Sequence, residues 1–118
     1  MLPEAGDIAW VDFDPTKGTE QSGRRPALVV SHLIYHAVSR RAVVCPITGS
    51  VRDWPFQVPL PLALKTRGTV LVDQVRTIER GDRMLSIIER VPSDVLAEVR
   101  GRLAALLGFE LTSSADRN

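Results

Sequence analysis

A chain of 118 residues has enough material for one small hydrophobic core and not for two. Its formal net charge of +1, from fifteen basic and fourteen acidic side chains, excludes a globally basic nucleic-acid binder, so any RNA-binding charge must be concentrated locally. With 44% hydrophobic and 25% charged residues the composition is that of a globular domain, neither disordered nor membrane-spanning.

Met1 to Asp7 has neither the basic start nor the apolar centre of a signal peptide, and no apolar run reaches the roughly 20 residues of a spanning helix. A cytoplasmic location is expected. The lone cysteine, Cys45, rules out an internal disulfide. It follows two valines and precedes Pro46, a setting in which a thiol acts as a small hydrophobe.

Asp7 to Phe13 and Ala27 to Val30 are dense in β-branched and aromatic residues and read as the first two strands. Between them Pro15, Gly18 and Gly23 make the connection too long and too rich in breakers for a two-residue hairpin, so a surface loop is expected. At its end Arg24 and Arg25 abut Pro26, which pushes Arg25 toward extended geometry at the loop–strand boundary.

Ser31 to Arg41 alternates poorly and is expected to be a connection with one irregular turn. Its His32 and His36 are four apart and share a face if the segment is helical, as a metal pair or an acid–base pair would. No Cys or Asp stands beside them at ligand spacing, so a structural role is favoured. The third strand, Ala42 to Ile47, delivers Thr48-Gly49-Ser50 at its end.

Trp54 and Phe56 flank Pro55 on the following loop, and in a chain with 5% aromatics that pair makes a credible platform for stacked bases. Gln57 to Leu60 reads as a short strand that Pro59 confines to a sheet edge. Thr69 to Ile78 has the longest β-branched character and is expected to be the central strand, with Asp73 and Gln74 interrupting it and Gln74 facing a ligand or dimer groove. Glu79 to Arg83 is a charged turn and Met84 to Val91 a last strand.

Ser93 is the expected N-cap of a helix in which Val95, Leu96, Val99, Leu103, Leu106 and Leu107 recur at helical spacing and Gly108 ends the run. The helix reads as a lid or a dimer contact. A single domain over residues 1–111 is expected, then a polar tail, 112–118, expected to be disordered. The sum is a mainly β fold, a small, strongly bent antiparallel barrel of SH3-like type with a C-terminal helix.

Asp7-Ile8, Trp10-Val11-Asp12-Phe13-Asp14-Pro15, Gly18-Thr19-Glu20-Gln21-Ser22-Gly23, Arg25-Pro26, Val44-Cys45-Pro46-Ile47-Thr48, Pro55-Phe56 and Asp73-Gln74-Val75 resemble, in that order and at similar spacing, the MazF/PemK family of toxin endoribonucleases. The resemblance runs from about Gly6 to Gly108. It implies a CcdB/PemK-like barrel, a homodimer, a MazE-like antitoxin partner and cleavage of single-stranded RNA without a cofactor or metal. It aligns Arg25 and Thr48 with the family's paired arginine and threonine, and suggests an asparagine-like hydrogen-bonding role for His36. The family pattern near Trp54 is often Tyr-Pro-Phe-Glu, from which Trp54 and Gln57 depart.

The expected catalytic set is therefore Arg25 for phosphoryl charge, Thr48 as a hydroxyl donor and Glu20 as candidate base, with Thr19, Gln21, Arg24, Trp54, Phe56 and Gln74 holding substrate. A binding-only toxin of the same barrel, related to the CcdB gyrase poisons, is the alternative, and an RNA-binding module without catalysis is a third.

Overall fold

The computed structural model describes residues 2–14 and 23–109. The polar tail expected over 112–118 lies outside them. Seven strands form one antiparallel sheet: β1 Asp7–Asp12, β2 Arg24–Val29, β3 Arg41–Thr48, β4 Gln57–Pro59, β5 Thr69–Leu71, β6 Arg76–Glu79 and β7 Met84–Arg90. Three helices complete it, α1 Leu33–Val38, α2 Arg80–Arg83 and α3 Ser93–Leu107. The strand order is β4-β5-β3-β2-β1-β7, with β6 also on β3. The expected mainly β fold with a C-terminal helix is what forms, as a bent sheet whose recorded pairs do not close into a ring.

Thr69 to Ile78 is not one central strand. Val72–Gln74 forms a 3-10 turn that splits it into β5 and β6. The central strand is β3, the longest. β2 lies along one of its edges, while the other edge pairs with β6 from Arg41 to Val44 and with β5 at Ile47 and Thr48. β5 and β6 share that edge in turn, and the polar Asp73 and Gln74 mark where one partner ends and the next begins.

Both faces of the sheet are covered, which is why β1, β2 and β3 read as nearly continuous apolar runs. Ile8, Leu28, Cys45 and Ile47 point to one core, while Ala9, Val11, Ala27, Val29, Ala42 and Val44 point to the other. α3 roofs the first core with Val95 and Val99. Burying a side chain like Val99, fully inaccessible here, stabilises by about 1.5–3 kcal/mol. Ser93 is not the N-cap of α3: Pro92 holds that place with no side-chain hydrogen bond, and the carboxylate of Asp94 accepts from the Val95 N–H. Gly108 ends the helix in the left-handed conformation, as expected.

The segment after β2 contains a real helix, α1, rather than an irregular turn. His32 caps it, its Nδ1 accepting from the Ile34 N–H at 3.0 Å. His36 is buried, with Nδ1 at 2.7 Å from the Pro3 carbonyl and Nε2 at 2.6 Å from Ser31 Oγ. Since a carbonyl can only accept, Nδ1 carries the proton and Nε2 accepts from the Ser31 hydroxyl, whose oxygen in turn accepts the Val43 N–H at 2.9 Å. The two histidines thus hold the backbone, the structural role favoured from sequence. Arg80 closes the far end of α1, donating from Nη2 to the carbonyls of His36 and Ser39.

Candidate functional site

A polar cleft of about 400 Å³ opens where β3 ends, lined by Thr48, Ser50, Arg52, Trp54, Gln57, Leu71, Asp73 and Gln74. β3 and β5 bring Thr48 there, and the 3-10 turn brings Asp73 and Gln74. The side chain of Thr48 is nearly buried, and its hydroxyl oxygen accepts the Ser50 N–H at 3.2 Å. Accepting there, the oxygen still carries a proton to donate.

Arg25 stands on β2, half-buried, across from Val11. It is not among the side chains lining the cleft. β2 pairs with β3 at Ala27↔Pro46, Leu28↔Cys45 and Val29↔Val44, so Arg25 lies on the neighbouring strand, two residues beyond the last paired position, toward the end at which β3 delivers Thr48. Arg24, next in line, is exposed and opposes Asp12.

Thr19, Glu20 and Gln21 lie outside the described residues. The ends of their segment are well held: the Phe13 N–H donates to the Gly23 carbonyl at 3.0 Å and the Gly23 N–H to Asp14 Oδ1 at 2.9 Å. Phe13 is fully buried beneath the Arg76 guanidinium, 5.4 Å from its ring centroid. Arg76 Nη1 is itself buried with no hydrogen-bond partner among the described residues.

The aromatic pair is built rather than loose. Trp54 and Phe56 meet at 5.6 Å with a 60° tilt, and the indole N–H of Trp54 donates to Asp73 Oδ2 at 3.1 Å. Trp54 remains 47% exposed, enough to present one ring surface to a ligand. Arg102 of α3 donates to the Pro55 carbonyl and pairs with Glu98, pinning the loop from behind.

Sequence reasoning missed Ser50 and Arg52 as cleft residues, singled out Asp73 only as a polar interruption of a strand, and took Gln57 as a strand residue that departs from the family pattern. In the structure Gln57 closes the loop, its Oε1 accepting the Arg52 N–H at 2.8 Å. Asp73 faces solvent as the acceptor for Trp54, so its polarity inside an apolar run was the available signal.

Cys45, two residues before Ile47 on β3, is buried: that burial, aided by the negative charge of Asp73, pushes its thiol up to about 12.

Residues 4–107 match the family described as PemK-like, MazF-like toxin of type II toxin–antitoxin systems. The chain belongs to that family. It is 36% identical over 107 residues to the endoribonuclease toxin MazF of Escherichia coli strain K12, spanning 91% of this chain and 96% of that one. Its structure is similar to a MazF crystal structure from Deinococcus radiodurans, with a TM-score of 0.87 and 43% identity over 92% of this chain and 99% of that one. A chain in a MazE–MazF crystal structure from the same organism superposes with a TM-score of 0.82 at 42% identity, covering 93% of this chain and 99% of that chain.

Proposed function

We propose that this chain, an endoribonuclease toxin like its named relatives, cuts single-stranded mRNA without a metal ion to leave a 2′,3′-cyclic phosphate and a 5′-hydroxyl. What supports the reading is the polar cleft lined by Thr48 at the end of β3, with Arg25 on β2, the strand that pairs with β3. RNA supplies its own nucleophile. Its 2′-oxygen attacks the adjacent phosphorus, a P–O2′ bond forms, and the P–O5′ bond breaks. The enzyme aligns those oxygens and stabilises the negative charge that gathers on the phosphoryl oxygens.

Arg25 serves that charge, because a guanidinium presents a fork of donors to phosphate and stays protonated. Thr48 donates its hydroxyl proton to a non-bridging oxygen while the Ser50 N–H holds its oxygen in place. Glu20 is the candidate base for the 2′-hydroxyl. Trp54 and Phe56 stack splayed bases, and Thr19, Gln21, Arg24 and Gln74 contact their edges and phosphates, a mode that a duplex cannot satisfy. The active form is a cytoplasmic homodimer, silenced by a MazE-like antitoxin whose disordered segment folds over the cleft.

The test is incubation of the purified protein with a long single-stranded RNA in EDTA, with the ends mapped and their chemistry determined. Discrete cuts bearing cyclic phosphates are expected, and Arg25→Ala and Thr48→Ala should each lower kcat by roughly 10²–10³ with the fold intact. Intact RNA would overturn the reading and turn attention to a binding-only toxin.

A further inference from the structure

Trp10 is 42% exposed although it sits in β1, which is flanked by β2 and β7. It shares its sheet face with Pro26, its partner on β2, and with Ile8, so it lies on the opposite face from Arg25 and Val11. There it forms one wall of a hollow of about 310 Å³ whose other lining residues are Pro26, Lys65, Thr66, Arg67 and Ile88. An indole beside two cations, with no carboxylate in the lining among the described residues, is the chemistry of a stacked base flanked by phosphates.

The loop bearing those cations is held in place. Glu89 on β7 accepts the Lys65 N–H at 3.1 Å and both the N–H and the hydroxyl of Thr66 at 2.7 Å. The nearby carboxylate is thereby occupied with N–H and O–H donors. Arg67 donates from Nη1 to the Leu62 carbonyl at 2.6 Å, which leaves the rest of its donor fork for a ligand. The next residue, Gly68, packs directly on the Thr48 carbonyl, and Thr69 pairs with Thr48. One short loop therefore runs from the cleft residue Thr48 over the end of the sheet to Trp10.

We propose that this hollow is a second RNA subsite: a base a few nucleotides from the cut stacks on Trp10 while Lys65 and Arg67 hold the neighbouring phosphates. It rests on the reading that the chain cuts single-stranded RNA. The subsite adds binding energy to long substrates and makes the enzyme favour a cleavage motif embedded in extended, unpaired RNA over the bare motif.

The test compares kcat/KM on two RNAs with the same cut motif, one minimal and one extended by unpaired nucleotides on both sides. The wild type should prefer the long RNA, and Trp10→Ala should reduce that preference on the order of tenfold. Lys65→Gln combined with Arg67→Gln, measured by binding to the long RNA with a 2′-deoxy block at the cut, should flatten the slope of log K against log salt by about 1.4, roughly 0.7 per lost phosphate contact. No length preference in the wild type, or an unchanged preference in Trp10→Ala, would overturn the subsite. So would a Trp10→Ala protein that turns monomeric, or one that loses only antitoxin binding, because the hollow would then be a protein interface. Failure of the wild type to cut either RNA would instead refute the nuclease reading itself.

Discussion

Gly68→Ala isolates the contact that joins β5 to the cleft. Gly68 has φ +119°, and a Cβ built there would lie 2.2 Å from the Thr48 carbonyl oxygen and 2.9 Å from its carbon. Both neighbours are backbone, so no side chain can swing aside, and the Thr48↔Thr69 pairing must open by about an ångström. Positive φ costs an alanine about 1–2 kcal/mol and the forced overlap about 1–3 more, a total near 3 kcal/mol. Gly108→Ala is the matched control. Its φ is +83°, but a Cβ there meets nothing within 4 Å among the described residues, so only the conformational part, about 1 kcal/mol, is lost. In a chain of this size each kcal/mol moves Tm by about 4 °C. Thermal melts should therefore place Gly68→Ala about 12 °C below wild type and Gly108→Ala about 4 °C below. Cleavage at a temperature where both are folded should fall only in Gly68→Ala, because Thr48 is displaced. Equal Tm losses, or full activity in Gly68→Ala, would refute the reasoning.

Three further outcomes follow from side chains with defined partners. Partial burial works to raise the Glu89 carboxyl, but the Thr66 hydroxyl, the N–H groups of Lys65 and Thr66 and the Lys65 charge outweigh it and hold the group below its ordinary 4.5. Its folded value is depressed, so its contribution is present above 4.5 and lost as pH falls through the folded value. Urea melts of wild type and Glu89→Gln should differ at neutral pH and converge in acid; a gap that widens in acid would contradict the assignment. His36→Ala strands the Pro3 carbonyl and the Ser31 hydroxyl and leaves a cavity, a loss of about 3 kcal/mol in denaturant melts, while RNA cleavage by the folded fraction should not change. With its thiol pushed up to about 12, native Cys45 should resist iodoacetamide at neutral pH and react only on unfolding; labelling of the folded protein at the rate of a free thiol would show the site to be open.

Local chemistry made several elements legible. Val95, Val99 and Gly108 are enough to draw α3, and the β-branched runs around Ile8, Leu28 and Val44 are enough to draw the middle of the sheet. Pro59 did confine β4 to an edge, because the ring cannot donate to a neighbour on that side. What local pattern could not show is that Val72 to Gln74 leaves the strand. The residues on both sides have strong β character, and the break appears only in the pairing, where β5 and β6 take separate stretches of the same β3 edge. α1 was hidden for a related reason. Its six residues show no apolar stripe, and its stability comes from the His32 cap, the buried His36 and the Arg80 side chain, forty-four residues away from His36 in sequence.

The candidate site follows the same division. Arg25 and Thr48 were singled out by the family resemblance at the mouths of two loops, but that the strands carrying them are neighbours is a property of the β2–β3 pairing, which no spacing along the chain encodes. The Trp54 platform was visible as composition, whereas its supports, Asp73 on the 3-10 turn and Arg102 on α3, come from other parts of the chain. Both supports converge on one loop from opposite sides. If bases stack on that loop as proposed, its rigidity before RNA arrives preserves stacking energy that ordering on binding would otherwise cost. The β3–β5 pairing thus serves both parts of the site: it holds Thr48 at the end of β3, and the 3-10 turn that follows β5 sets Asp73 where it can hold Trp54.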